Sequence, residues 1–166
     1  MESITYIVMG SLSGAVSSFI GQNFGAKKFK RILKGYRMSL VLGCAYAVMT
    51  SLIFIFFSEP LAQLFTRDIE TVTMTSNYLI IIGLSQIFMA MEMITTGVYS
   101  GIGLPKVPAV ISIVFTGLRI PLALLLTPIL GLNGVWWSIA ISSFLKGILS
   151  IVLFQIIYMR RYQHAL

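Results

Sequence analysis

Three charged residues stand inside long apolar runs of this chain: Glu92, Arg119 and Lys146. One charge at the centre of a membrane helix costs about 2.5–3.5 kcal/mol, so each is expected to find an opposite charge, a water-filled cleft or an ion. Their depths agree. Glu92 lies nine residues before Gly101, Arg119 twelve after Val107 and Lys146 twelve before Tyr158. At 1.5 Å per residue these offsets put all three about 13–18 Å from one face of the bilayer. One carboxylate and two cations at a common depth predict an intramembrane charge cluster. In its structural form a Glu92–Arg119 bridge fixes helix packing. In its functional form Glu92 binds or relays a cation, and Lys146 is dispensable for that task.

The neighbourhood of these charges adds weaker signals. Pro121 follows Arg119 by two residues and would free the carbonyl of Gly117, bending its helix beside the charge. Gly10, Gly14 and Ser18 form one stripe of small residues, and Ser13, Ser17 and Gly21 another. Such stripes let helices approach closely, and the hydroxyls of Ser13 and Ser17 could instead line a polar cleft. Phe88, Met89, Met91 and Met93 flank Glu92, and methionines both fill cores and adapt to varied ligands. Met89 is therefore a further candidate for the cleft wall.

These residues need elements to hold them, and composition restricts what those elements are. Of 166 residues, 57% are hydrophobic and only 10% charged, with mean hydropathy +0.93. A soluble domain carries about 25% charged residues, and disorder requires low hydrophobicity, so both classes are excluded. Cys44 is alone, which excludes a disulfide scaffold and leaves it a small buried hydrophobe. His164 has no partner for metal binding or catalysis. No paired carboxylates, nucleophile with a base, or phosphate loop occurs, so the chain does not read as an enzyme and implies no metal or cofactor.

Five apolar runs have the length to cross about 30 Å of hydrocarbon: residues 4–22, 36–57, 74–99, 107–127 and 135–158. They are too long for strands and lack apolar–polar alternation. The fold class is all-α, a polytopic membrane bundle of five transmembrane helices. Ser58, Glu59 and Pro60 end the second run, Asp68 is placed to cap the third, and Gly101, Gly103 and Pro105 turn the chain into the fourth. Pro128, Gly131, Asn133 and Gly134 do so before the fifth.

The net charge of +7 invites a nucleic-acid reading, but the cations sit in short gaps between spans rather than on one solvated face. Lys27, Lys28, Lys30, Arg31, Lys34, Arg37, Lys106, Arg160 and Arg161 share one side after five crossings; only Arg67 lies on the other, beside Glu2, Glu59, Asp68 and Glu70. Nine against one marks the basic side as cytoplasmic and the N-terminus of the chain as outside. Trp136 and Trp137 mark the outer boundary of the last span, and Tyr158 with Tyr162 the inner one. Termini on opposite faces, with no long hydrophilic domain, suggest a piece of a larger bundle.

Several segments resemble one family in order and spacing. Gly21-Gln22-Asn23-Phe24-Gly25-Ala26, followed by basic residues, resembles the end of the second helix in each lobe of MATE multidrug exporters. Leu64-Phe65-Thr66-Arg67-Asp68 is similar to their loop before the tenth helix. Gly97 to Pro105, Leu118 to Ala123 and Gly131 to Trp137 are similar to the starts of the eleventh and twelfth. The resemblance runs through essentially the whole chain and implies helices eight to twelve of a twelve-helix antiporter, without the first lobe and the seventh helix. It further implies export of small organic cations and other amphipathic compounds across the plasma membrane, coupled to inward Na⁺ or H⁺. Some members carry an Asp in the tenth helix that contributes to a cation site. That position is Met89 here, with Glu92 three residues on and nearly on the same face.

Two other functions fit the residues less closely. A lipid-linked oligosaccharide flippase of the same superfamily would use Arg119 and Lys146 on a pyrophosphate, and a small scaffold subunit would not transport at all. The orientation is directly testable by single cysteines at Thr71 and Lys30 in a Cys44-free background. An impermeant thiol reagent on whole cells should label position 71 and spare position 30; the opposite pattern reverses the topology.

Overall fold

The structure is a computed structural model that describes residues 2–162, with side chains described through Tyr158. His164 lies outside the described residues, and the side chains of Arg160, Arg161 and Tyr162 outside the described set. Among the described residues every regular element is a helix: α1 (Glu2–Gly25), α2 (Phe29–Phe56), α3 (Ser58–Gln63), α4 (Ile69–Gly101), α5 (Lys106–Gly117), α6 (Arg119–Leu130) and α7 (Leu132–Tyr162). Five stretches are long and apolar enough to cross a membrane: α1, α2, α4, α5 with α6, and α7.

The helices outrun the apolar runs at several ends. α2 begins at Phe29 rather than near residue 36, because Lys and Arg are good helix formers and hydropathy marks hydrocarbon, not helix. α4 begins at Ile69 because Asp68 caps it. Its Oδ2 accepts from the Thr71 hydroxyl at 2.6 Å and the Thr71 N–H at 2.9 Å, which holds this exposed carboxyl below its ordinary range. The segment after the second span, expected as a loop, contains the short helix α3, pinned to α4 by Ser76 donating to Ser58 at 2.8 Å.

α4 is the central helix, packed by α1, α2 and α7. The second small-residue stripe of α1 makes one of these contacts. A Cβ on Gly97 would stand 2.4 Å from the Ser13 carbonyl oxygen, and one on Gly101 would stand 2.7 Å from that of Ser17. Only glycine permits that approach, and Ser13 adds a 2.7 Å hydrogen bond to the Met93 carbonyl. The core near the basic end joins three helices, α2, α4 and α7, through aromatic rings. Phe154 lies 4.6 Å from Tyr36 and 5.8 Å from Tyr99, centroid to centroid, and Tyr36 shares a 3.0 Å bond with Thr95.

The fourth span is not one smooth helix. α5 ends at Gly117 and α6 starts at Arg119, with Leu118 between them still in helical conformation and donating to Val114 at 2.9 Å. Pro121 stands one turn after Gly117 and has no N–H to offer its carbonyl. Gly131, at φ +58°, then reverses the chain into α7. α5 and α6 are the least covered span, with Ile113, Ile120, Leu124 and Ile129 all exposed.

Candidate functional site: an ion pair inside the bundle

Glu92 projects from the last third of α4 towards α5 and α7. Its Oε2 lies 3.1 Å from Lys146 Nζ on α7, and its Oε1 accepts from the Ser112 hydroxyl on α5 at 2.9 Å. Both charged side chains are nearly covered, at 13% and 10% exposure. Each carboxylate oxygen therefore has a partner, which is the condition under which a charge persists away from water. The cost of removing one partner from such a pair is about 3–5 kcal/mol, because the other charge is left uncompensated.

The three charges meet different partners from those the spacing suggested. Arg119, predicted to bridge Glu92, instead donates from Nε to Ser142 on α7 at 2.7 Å. Arg119 opens α6 and reaches Ser142, one helical turn before Lys146 on α7, while α4 presents Glu92 to Lys146 directly. Lys146, expected to be dispensable for ion binding, is the residue that pairs with Glu92. Depth alone placed the three charges at one level, but facing direction around each helix chose the partner.

The candidate cleft residues move into the packing. Ser13 and Ser17 lie in the α1–α4 contact, where glycine allows the backbones to touch. Met89 is buried with Met9, Ala47 and Ala90 between α1, α2 and α4. Although three residues from Glu92, it faces different helices, since a separation of three leaves a 60° difference around the helix. Pro121 lies in the first turn of α6, beside the interruption that starts Arg119.

Other participants escaped the sequence reading. Ser138, Ser142, Lys146 and Ser150 recur every four residues on α7 and are all buried, forming a polar seam through the bundle. Arg119 engages Ser142, Glu92 engages Lys146, and Tyr99 donates to the Ser150 carbonyl at 3.4 Å. The four-residue period was present in the sequence and is the signal that would have found Ser142. At the opposite end of the column, Tyr78 donates to Glu2 at 2.5 Å and stacks edge-on against Trp136. Gln86 is buried six residues before Glu92, and among the described residues its Oε1 has no hydrogen-bond partner.

Residues 1–125 match the MatE family. A probable multidrug resistance protein NorM of Thermotoga maritima is 26% identical over 157 residues, covering 93% of this chain and 34% of that protein. Human multidrug and toxin extrusion protein 1 is 27% identical over 148 residues, covering 87% of this chain and 26% of that protein. An FAD transporter of Shewanella oneidensis is 28% identical over 149 residues, 89% of this chain and 33% of the other. Among solved structures, an inward-facing MATE family transporter of the MOP superfamily superimposes with TM-score 0.88 at 17% identity, covering 95% of this chain and 37% of that one. The fold is shared, and the chain spans about a third or less of the length of these curated relatives.

The site makes a quantitative prediction. In a double-mutant cycle on folded stability, Glu92→Gln and Lys146→Met should show a coupling of about 0.5–3 kcal/mol, larger than that between Glu92→Gln and Arg119→Gln. A larger coupling with Arg119 would restore the partner that depth alone suggested.

Proposed function

The chain belongs to the MatE family, and from that membership we propose that it forms part of the second lobe of a cation-coupled exporter of amphipathic organic compounds. The observation that carries this reading is the covered Glu92–Lys146 pair, held at the junction of α4, α5 and α7. A charge pair costs stability wherever an apolar pair would pack as well. Its place among three helices gives it a use: an incoming cation, H⁺ or Na⁺, competes with Lys146 for the Glu92 carboxylate.

The competition links ion occupancy to helix arrangement. With the site empty of ions, Lys146 ties α7 to α4. When a cation neutralises Glu92, that tie is released, and Lys146 needs another partner or water. An ion shifts a conformational equilibrium only by its differential affinity for the two states. The strong penalty for an unpaired buried charge supplies such a difference here. Arg119 of α6, bonded to Ser142 one turn before Lys146, adds a second positive charge to the wall. In this reading the basic face of the membrane is cytoplasmic, the chain begins outside and ends inside, and a first lobe and seventh helix complete the cleft. The multi-pass membrane character itself follows from the five apolar spans and the family.

A second reading rests on one observation. With Glu92 compensated by Lys146, Arg119 has a hydroxyl but no ion pair among the described residues. A net positive wall favours an anionic or zwitterionic cargo, as the phosphates of a lipid-linked substrate would be.

Transport separates these roles in a full-length exporter whose second lobe carries residues 1–166. Efflux of a fluorescent organic cation from energised vesicles, at matched expression, should fail in Glu92→Gln and survive in part in Glu92→Asp. Lys146→Met should lower the KM for the coupling cation while slowing turnover, because the ion binds without its competitor and nothing displaces it. Normal efflux in Glu92→Gln would reduce the pair to a packing role.

A further inference from the structure

The second feature that packing does not explain lies at the basic end of the bundle, remote from the ion pair. Arg31, Lys34, Gly35 and Met38 follow the i, i+3, i+4, i+7 pattern and share one face of α2. Phe19 of α1 leans on that face. A Cβ on Gly35 would stand 2.3 Å from the Phe19 ring, so the bare backbone is what lets the ring lie there. The two helices thereby frame a groove of about 430 Å³, walled by Phe19, Arg31, Lys34, Gly35, Met38 and Ser39.

The groove is graded along the membrane normal. Its two cations stand within the first two turns of α2, where the helix emerges from the apolar run. Its apolar floor, Phe19 and Met38, lies deeper and is 44% and 58% exposed. No acidic residue lines it, and residues 27–37 contain six cations and no carboxylate. The start of α2 adds to the imbalance: among the described residues Lys28 at the cap makes no capping side-chain bond, and the first turn holds no acidic residue. Like charge thus crowds the positive end of a helix dipole, an arrangement that an anion would relieve.

The geometry points to a binding site for an anionic phospholipid, its phosphate between Arg31 and Lys34 and an acyl chain along Phe19 and Met38. A soluble anion would use the cations but leave the exposed apolar floor uncovered. A lipid of the same leaflet satisfies both, and clusters of Lys and Arg at a membrane boundary are suited to anionic headgroups. The site is separate from the ion pair and does not depend on the transport reading.

The test uses the 166-residue chain purified in uncharged detergent, with retained lipid measured by native mass spectrometry. Phosphatidylglycerol should be retained about tenfold over phosphatidylcholine, and R31Q/K34Q should remove that preference. K27Q/K28Q, which deletes the same charge outside the groove, should change retention by less than about twofold. If R31Q/K34Q does not fold, the single exposed change Lys34→Gln is read against the same control. Equal loss in the two double variants would mean diffuse surface charge and overturn the site. Displacement of the lipid by inorganic phosphate, or by a soluble acidic peptide, would overturn it too, by assigning the cations to a free anion or a protein segment.

Discussion

A carboxylate carried into hydrocarbon on the central helix has to be neutralised, and the arrangement of this bundle follows from how that is done. Glu92 receives a hydroxyl from α5 and an ammonium from α7, so three helices meet at one side chain. Alternative registers of α7 against α4 would leave both charges unpaired, at a cost of several kcal/mol. Hydrophobic burial cannot choose among such registers, because in a bilayer the tails outside are as apolar as the side chains within. The polar contacts therefore set the register, and close glycine packing holds it. Gly97 and Gly101 lock α1 to one face of α4; on another, Gly147 approaches the Phe88 carbonyl so closely that a Cβ there would stand 2.5 Å from it.

The seam on α7 extends the same logic along the membrane normal. Ser138, Ser142, Lys146 and Ser150 keep a polar line inside the bundle without exposing it to lipid. Arg119 reaches the seam from the α5–α6 junction, where Leu118 stays helical, and its Nε donates to Ser142. An ion pair bordered by a second cation is an arrangement whose balance a single incoming charge alters.

Much of this was legible in the residues. Length and hydropathy set five spans, the Asp68 cap marked the start of α4, and the depths of Glu92, Arg119 and Lys146 brought the charges to one level. The pairing was not legible, because sequence offsets give height along a membrane helix but not rotation about it. Rotation depends on neighbours such as Gly97 against Ser13 and Gly147 against Phe88, contacts between residues far apart in the chain. For Ser13, Ser17 and Met89 the residues left packing and cleft lining both open, and Ser13 and Met89 take part in helix contacts here. Periodicity does report rotation within one helix, and the four-residue repeat through Lys146 carried more information than its separate members.

The central claim, that Glu92 and Lys146 neutralise each other across α4 and α7, is tested most directly by exchanging them. Glu92→Lys alone and Lys146→Glu alone each place two like charges at about 3 Å inside the bundle, so each should sharply reduce the yield of folded, monodisperse protein. The combined exchange restores an opposite pair at the same site, and the account predicts that its folded yield recovers towards that of the parent chain. An exchanged protein no better folded than the worse single variant would contradict the pairing.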